Sequence, residues 1–193
     1  MSVRVLIVGF GYVGQLLGQL LKADGHTVYG VKRTHQHTLI DQLIQKDIMH
    51  LDDADLPEID FVVYCPSSDA RDEMAYQKVY ADGADHVLSL LEQRAHKPRF
   101  IYVSSTRVYE QDHGEWVDET AECVGNDPLA KCILAGEARV MRSTLNHMVV
   151  RCSGLYGPNR HYLLDALQNG DARLCHSLRF SSRIHTLDCA RML

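Results

Sequence analysis

Three observations predict an α/β protein built on a doubly wound parallel sheet with helices on both faces. Short aliphatic runs, such as Val3–Val8, are typical of strands that are buried on both faces. Between these runs lie stretches whose apolar residues recur every three or four positions, as in amphipathic helices. The two patterns alternate from the start of the chain to Cys152, so right-handed helical crossovers should join successive parallel strands.

The first half of the chain predicts four strands. After Val3–Val8, apolar residues at positions 13, 16, 17, 20 and 21 form one stripe of a helix. A second strand covers Thr27–Val31, and a weaker helix around Thr38–Leu43 precedes a short strand near Leu43–Lys46. The aliphatic run Asp60–Cys65 predicts the fourth strand, which Pro66 ends.

The second half continues the same alternation. Apolar residues from Tyr76 to Leu91 mark a long helix. A strand over Arg99–Val103, a helix over Pro128–Thr144 and a strand over His147–Cys152 follow. Beyond Cys152 the rhythm fades and loop-like sequence dominates. At 193 residues the chain has the length of one ordinary domain, so we expect a single domain over 1–193.

Composition excludes several classes of protein. The chain is 46% hydrophobic and 23% charged, as folded proteins usually are, and its net charge of −5 gives no support for nucleic-acid binding. No apolar run approaches the ~18–20 residues that span a bilayer. The first strand begins so close to Met1 that no signal peptide fits before it. We therefore expect a soluble, cytoplasmic protein without a membrane or nucleic-acid partner.

The cysteines and histidines predict no metal site. No two cysteines form Cys-x-x-Cys, and several lie in apolar stretches, which favours buried, reduced thiols over disulfides or zinc ligands. Among eleven histidines only His35 and His37 are close in sequence, and a polar surface loop explains them better. The six cysteines are Cys65, Cys123, Cys132, Cys152, Cys175 and Cys189.

The strongest functional motif is a glycine-rich turn, Gly9-Phe10-Gly11-Tyr12-Val13-Gly14, between the first strand and the first helix. In this context Gly9 permits a tight turn, Gly11 lets a pyrophosphate approach the backbone, and Gly14 allows close packing of helix on strand. Free amides at the helix start face the anion. The motif predicts a Rossmann-type dinucleotide site formed by these six residues; the alternative is a tight turn without a ligand.

The end of the second strand favours NADP over NAD. An NAD site usually has an acidic residue there, about 20 residues after the glycines, to bind the ribose 2′-hydroxyl. Here Lys32-Arg33-Thr34 follows the strand, and a guanidinium at Arg33 can pair with a 2′-phosphate. We therefore assign Arg33 and Thr34 to the cofactor site. The alternative is that Lys32 and Arg33 are solvated charges after a strand.

Further segments carry a family resemblance. They are Phe100-Ile-Tyr-Val-Ser104-Ser105-Thr106-Arg-Val108-Tyr109, Val150-Arg151-Cys-Ser-Gly154-Leu-Tyr156-Gly157-Pro158 and Arg183-Ile-His185-Thr-Leu-Asp188-Cys-Ala190. Together with Tyr80-Ala-Asp82-Gly83 and Gly114-Glu-Trp-Val-Asp118-Glu119, they resemble segments of the extended and atypical short-chain dehydrogenases/reductases, the NAD-dependent epimerase/dehydratase group. The matches cover nearly the whole chain in the expected order.

That resemblance implies roles for individual residues. Asp47 would approach the adenine, and three residues at and beyond the end of the fourth strand would line the cofactor phosphates and ribose. Ser105 corresponds to the family's catalytic Ser/Thr, and Ser104 lies beside it; a hydroxyl that only caps a strand end is the alternative for each. The three residues at and beyond the end of the fourth strand are Cys65, Pro66 and Ser67.

The chain departs from the family at its acid/base pair. Pro128 and Glu137 align the helix with the family's Tyr-x-x-x-Lys helix, and this register puts Leu129 at the tyrosine and Ile133 at the lysine. Neither side chain can carry a proton. Lys131 is two residues out of register, about 200° around the helix, and should face elsewhere. Tyr109, Tyr156 or His185 are the candidates to replace the missing pair; each could instead serve only packing or hydrogen bonding.

The resemblance implies an oxidoreductase or isomerase that uses NADP or NAD on a nucleotide-sugar-like or other small hydroxyl or carbonyl substrate. Residues 153–193 would contribute to a small substrate lobe that is incomplete within this chain. A non-catalytic NAD(P)-binding sensor or scaffold is the alternative, because the Tyr/Lys pair is missing. A homodimer is a further expectation.

Overall fold

The computed structural model describes residues 1–111, 113–123, 125–158, 160–171 and 181–193. Six parallel strands form the main sheet, and two short strands form a second sheet. The strands are β1 Arg4–Val8, β2 Thr27–Lys32, β3 Gln42–Gln45, β4 Phe61–Tyr64, β5 Arg99–Ser105, β6 His147–Cys152, β7 Gly154–Tyr156 and β8 Arg183–His185. The helices are α1 Tyr12–Ala23, α2 Glu73–Tyr76, α3 Gly83–Glu92, α4 Pro128–Met141, α5 Tyr162–Gln168 and α6 Thr186–Met192.

The order of the main sheet is β3-β2-β1-β4-β5-β6, and every pairing is parallel. The chain runs outward from β1 to β3, returns to β4 beside β1, and then runs outward in the opposite direction. This reversal leaves a crevice beyond the carboxyl ends of β1 and β4, the place where doubly wound sheets bind ligands. The predicted doubly wound parallel fold is confirmed.

Helices cover both faces of the sheet and bury its aliphatic strands. Leu6 and Val8 point into a core that α3 and α4 complete with Val87, Leu88 and Val140. The alternate residues, Val5 and Ile7, face a second core that includes residues of α1 and α6. Because both faces of β1 are covered, Leu6, Ile7 and Val8 are 0% exposed, as the uninterrupted aliphatic run predicted.

One predicted helix is absent. Residues 38–41 are not helical and lead directly into β3. The backbone amide of Asp41 donates to the carbonyl of Val28 at 3.0 Å, and its carboxylate accepts the amide of Val28 at 2.7 Å. These bonds hold the segment against β2 without a helical turn, so the helical prediction for Thr38–Leu43 was wrong. The short strand predicted near Leu43–Lys46 is β3, which begins and ends one residue earlier than predicted.

The long helix predicted from Tyr76 to Leu91 is present, with an irregular middle. A π-helical turn, Gln77–Asp82, joins α2 to α3. The backbone of α4 approaches this turn so closely that a Cβ on Gly136 would lie 2.1 Å from the carbonyl oxygen of Tyr80. The turn thus has a fixed position beside the crevice.

The region after Cys152 contains more regular structure than the loop-like sequence predicted. Strands β7 and β8 pair in parallel over three residues each, and α6 packs on α1. No helix within the described part of the chain combines the length and apolarity needed to cross a membrane.

Candidate functional site

The crevice at the carboxyl ends of the strands opens into a cleft of about 570 Å³. Its walls are the glycine turn after β1, the ends of β2 and β3, the loop after β4, the π-helical turn, the ends of β5 and β6, and part of α6. Among the predicted site residues, the cleft is lined by Gly9, Phe10, Gly11, Tyr12, Val13, Arg33, Asp47, Cys65, Pro66, Ser67, Ser104 and Ser105.

The three glycines of the turn differ in the space around them. Gly9 has a φ of +95°, and a Cβ there would lie 2.4 Å from Cα of Pro66. A Cβ on Gly14 would lie 2.6 Å from the carbonyl oxygen of Gly9 and 2.9 Å from the side chain of Ile7. A Cβ on Gly11, by contrast, would have its nearest neighbour 4.0 Å away. The backbone is therefore crowded on the sheet side and uncovered at Gly11, where the cleft begins.

The start of α1 directs backbone amides toward this opening. The first helical hydrogen bond is donated by the amide of Gln15 to the carbonyl of Gly11 at 2.9 Å. The amides of Tyr12, Val13 and Gly14 precede it and have no acceptor within the helix. Three such donors at a positive helix end form a binding position for an anion.

Two aromatic residues of the turn have different positions. The ring of Phe10 is 1% exposed and packs against Gly18 and Gly30, so only the backbone of Phe10 can contact a ligand. The hydroxyl of Tyr12 donates to the carbonyl of Pro158, and the Arg160 guanidinium lies 4.9 Å from its ring centroid. The Tyr-Gly-Pro loop is thereby attached to the glycine turn.

Arg33, at the end of β2, forms a two-pronged ion pair with Asp69 from the loop after β4. Both nitrogen–oxygen distances are 2.6 Å, and the side chains are 53% and 68% exposed. The adjacent Lys32 donates to Gln36. Thr34 is exposed, and it is not among the described residues that line the cleft.

Asp47 follows β3 and is held by two donors. Its carboxylate accepts the amide of Met49 at 3.0 Å and the ammonium of Lys78 at 3.1 Å. The hydrogen bond from the Met49 amide, and after it the hydrogen bond from Lys78, lower the pKa of Asp47, so its carboxyl group is an anion at neutral pH. The carboxylate lies on the same side of the cleft as Arg33.

The loop after β4 forms the floor of the cleft. The Cys65 thiol contacts the carbonyl oxygen of Gly9 at 3.5 Å, and burial raises its pKa to about 12. The thiol is therefore neutral. Pro66 packs against Gly9, whereas Ser67 is exposed at the opening.

At the end of β5 the two serines have different environments. Ser104 is buried and its hydroxyl donates to Glu137 at 2.5 Å. Glu137 in turn accepts two bonds from the Arg151 guanidinium, at 2.7 and 3.0 Å. Ser105 accepts the amide of Arg107 at 3.2 Å and lines the cleft. Because the Ser105 oxygen is the acceptor in this hydrogen bond, its O–H group can still donate a hydrogen bond to a ligand.

The candidate proton carriers lie beside the cleft rather than in its wall. The hydroxyl of Tyr109 accepts a 3.0 Å bond from Arg151, whose guanidinium lies 5.1 Å from the Tyr109 ring centroid. Tyr156 is 49% exposed, and its ring makes an edge contact with the ring of His185, with 5.3 Å between the two ring centroids. His185 caps α6 through the amide of Leu187. Among the described residues, none of these three lines the cleft.

A comparison with protein-family models decides the classification. The model for the NAD dependent epimerase/dehydratase family matches residues 5–174. The chain belongs to this family. No protein in a search of curated proteins matches it.

Solved structures of similar proteins have the same fold. A Methylobacillus flagellatus protein, provisionally assigned as an NAD-dependent epimerase/dehydratase, is 28% identical, with a TM-score of 0.80 over 99% of this chain and 68% of that one. Bordetella bronchiseptica WbmH, solved in complex with NAD+, is 19% identical, with a TM-score of 0.77 over 100% and 71%. MoeE5, solved with UDP-glucose and NAD, is 21% identical, with a TM-score of 0.79 over 97% and 69%.

Helix α4 is the helix that the sequence register aligns with the family's Tyr-x-x-x-Lys helix. Asp127 caps it through the amide of Leu129 at 3.1 Å. Leu129 is half-buried and Ile133 is 1% exposed, while Lys131 is exposed on another face. The correspondence of Leu129 and Ile133 with the family's tyrosine and lysine stays a prediction.

Several residues of the cleft wall were not identified from the sequence: Lys46, Asp69, Lys78, Tyr80 and Arg160. Asp69 could have been found from the rule that ligands bind beyond the carboxyl ends of strands, because it follows β4 by five residues. Arg160 follows the Tyr-Gly-Pro motif by two residues. Tyr80 begins one of the segments that carry the family resemblance, but its spacing is also that of the helix core, and no role in the site was predicted for it. Burial raises the pKa of its phenol, which is therefore neutral.

The described cysteines are free, and two of them meet in the wall of the cleft. The thiols of Cys152 and Cys189 are 3.5 Å apart, and both residues are buried. Cys132 is also buried, and Cys65 and Cys123 are half-buried. Cys175 lies outside the described residues.

Proposed function

We propose that the cleft binds a nicotinamide dinucleotide, with its diphosphate at the start of α1. The observation that carries this proposal is the contrast within the glycine turn, where Gly9 and Gly14 have no room for a side chain and Gly11 faces open space. A tight turn alone would not require an uncovered backbone at Gly11. The complexes of WbmH with NAD+ and of MoeE5 with UDP-glucose and NAD support the same cofactor class.

The residues present fit such a cofactor. The amides of Tyr12, Val13 and Gly14 would hold the diphosphate, and Asp47 would lie toward the adenine. Cys65, Pro66 and Ser67 would line the floor. A bound nicotinamide supplies a hydride acceptor or donor to the substrate carbon.

Arg33 favours NADP over NAD within this proposal. Its guanidinium lies at the end of β2, lines the cleft, and has the fork geometry that binds phosphate. Thr34 follows it in the exposed loop. A 2′-phosphate would give Arg33 a dianionic partner in place of a carboxylate.

The proposed activity is the cofactor-dependent oxidation, reduction or epimerisation of a nucleotide-sugar-like or other small hydroxyl or carbonyl substrate. Ser105 would donate a hydrogen bond to the reacting oxygen and polarise it, since its hydroxyl lies at the carboxyl end of β5 in the cleft wall. Tyr109 and Tyr156 are proposed as the groups that replace the missing tyrosine. Residues 153–193 would form part of the substrate lobe.

A second candidate is a non-catalytic NAD(P)-binding sensor or scaffold. The observation that favours it is the pair of apolar side chains at Leu129 and Ile133, because neither can accept a proton. This candidate keeps the cofactor site unchanged and differs only in the absence of turnover.

A cytoplasmic location and a homodimer also remain predictions. Cell fractionation tests the location, and light scattering tests the oligomeric state.

Substitution of Gly11 by Val tests the cofactor site. The new side chain has room in the protein, because the nearest atom to its Cβ is 4.0 Å away, but it would occupy the space of the diphosphate. We expect at least a hundredfold weaker binding of both NADH and NADPH by calorimetry, with an unchanged circular dichroism spectrum. A folded wild-type protein that binds neither nucleotide at millimolar concentration would refute the proposal.

Substitution of Ser105 by Ala separates the two candidates. With UDP-glucose and related nucleotide sugars as probes, we expect the variant to lose at least about tenfold in kcat while it binds cofactor normally, because it lacks the donor to the reacting oxygen. Equal turnover of variant and wild type would remove the role of Ser105. Cofactor binding by the wild type without turnover on any such probe would favour the sensor or scaffold.

A further inference from the structure

The ion pair between Arg33 and Asp69 joins two loops that meet only in the folded protein. Arg33 follows β2 and Asp69 follows β4, on either side of β1 in the sheet. Both guanidinium η-nitrogens contact the carboxylate at 2.6 Å, which is the two-pronged geometry of arginine with a carboxylate or a phosphate. The carboxylate therefore occupies the fork of the two η-nitrogens, one of the edges that a phosphate could use.

Charges around this pair are almost balanced. Asp47 and Lys78 form their own ion pair at 3.1 Å on the same side of the cleft, and Lys32 donates to Gln36. Lys32 and Lys78 thus have other partners, and the forked donors of Arg33 face Asp69. A dianionic phosphate that binds Arg33 would therefore lie close to the Asp69 carboxylate. Two anions at one guanidinium repel each other, so one must move away.

We propose that Asp69 is a residue that determines cofactor specificity: it holds the Arg33 guanidinium and thereby restrains the preference for NADP over NAD. The inference rests on the proposed function, because it concerns the ribose end of the same cofactor. The 2′-phosphate of NADP must compete with the carboxylate for the η-nitrogens of Arg33, or bind the other edge of the guanidinium against the repulsion of Asp69. NAD has no 2′-phosphate and leaves the ion pair intact.

The size of the restraint follows from the exposure of the pair. Both side chains are more than half exposed, so solvent screens their attraction, and displacement of Asp69 has a small cost. Removal of the carboxylate also removes its repulsion of the phosphate. We expect Asp69→Asn to bind NADPH about three- to tenfold more tightly and to bind NADH within about twofold of the wild type.

Calorimetry with NADH and NADPH on the full chain tests this expectation. The matched control is Asp53→Asn, since Asp53 is 67% exposed and is also paired with one arginine, Arg94, but does not line the cleft. The control removes the same charge and should change neither dissociation constant by more than about twofold. An equal gain in NADPH affinity in the control would overturn the proposal, because net charge alone would then explain it.

A double-mutant cycle with Arg33→Gln tests whether Asp69 acts through Arg33. In the Arg33→Gln background, Asp69→Asn should no longer tighten NADPH binding. A gain of the same size in both backgrounds would show simple charge repulsion and overturn the proposed restraint. Unchanged NADPH affinity in Asp69→Asn, or weaker NADH binding alone, would also overturn it.

These outcomes are distinct from a failure of the proposed function. If the wild type and all variants are folded and bind neither nucleotide, the cofactor site itself is refuted and the role of Asp69 with it. If the wild type binds a nucleotide and the ratio of the two dissociation constants is insensitive to Asp69, only the role of Asp69 is refuted.

Discussion

Gly9 and Gly25 both have positive φ values, but only one of them is crowded. Their φ angles are +95° and +82°. A Cβ on Gly9 would lie 2.4 Å from the backbone of Pro66, whereas a Cβ on Gly25 would have no atom within 4 Å. The close approach of β1 and the chain after β4, rather than the φ angle alone, therefore makes glycine necessary at position 9.

Alanine substitutions separate these two effects. Gly25→Ala should lower the free energy of unfolding by about 1 kcal/mol, the cost of a left-handed conformation for a residue with a Cβ. Gly9→Ala should lower it by about 3 kcal/mol or more, because the overlap adds to that cost. Urea denaturation measures both. Equal losses would mean that the loop after β4 moves away at no cost.

The sequence predicted some of these residue roles and could not predict others. Gly9 is crowded by Pro66, which is distant in the sequence. The close packing of Gly14 against Gly9 and Ile7 does follow from the motif between strand and helix, because these residues are close in sequence. The partner of Arg33 does not, because Asp69 is 36 residues away and faces it only after β2 and β4 pair on either side of β1.

At the scale of elements, α3 and α4 are joined by Glu92. Its carboxylate accepts two bonds from Arg139, at 2.8 and 3.2 Å, one from the Ser143 hydroxyl at 2.6 Å and one from the amide of Thr144 at 3.1 Å. The Arg139 bonds are the largest cause that lowers the pKa of Glu92 from 4.5 to about 2. The carboxylate thus fixes the end of α3 to the end of α4.

This lowered pKa predicts a loss of stability in acid. The folded state holds the anion more favourably than the unfolded state, so the stabilisation is complete above about pH 4.5 and is lost as the pH falls toward about 2. Glu92→Gln should lower the free energy of unfolding by about 1–3 kcal/mol at pH 7 and flatten its decline between those pH values. Chemical denaturation across this pH range measures both effects.

Glu58→Gln is the control for Glu92. Glu58 also accepts a bond from an arginine, Arg4, but its side chain is 80% exposed, so the change should stay within about 0.5 kcal/mol. Parallel pH curves for wild type and Glu92→Gln would contradict the assignment of the acid loss to this group.

Periodicity predicted most elements correctly because each helix and strand has one consistent apolar pattern. Its failure at residues 38–41 has a physical reason. Ile40 packs with the apolar residues between α1 and the sheet, and Asp41 bonds to the backbone of Val28, so contacts with β2 override a weak helical pattern. The pairing of β7 with β8 was missed because strands of three residues are too short to show alternation.

At the scale of the whole molecule, the sheet order brings the cleft together. Because β1 and β4 are neighbours at the point where the order reverses, the loops after β1, β2 and β4 converge on one opening. The network at the end of β5 also depends on this order: Glu137 on α4 joins Ser104 on β5 to Arg151 on β6. The register Ser104 beside Arg151 is what allows one carboxylate to reach both.

The sequence by itself determined the alternating strands and helices, the glycine-rich turn between β1 and α1, and the apolar residues Leu129 and Ile133 on α4. Each depends on residues within a few positions of one another, where periodicity and backbone sterics act directly. Only the tertiary structure decided that Asp69 meets Arg33, that Tyr80 and Arg160 line the cleft, and that Tyr109 and Tyr156 lie outside its wall. These relations depend on strand order and on which loops converge, and such long-range packing leaves no local pattern in the chain.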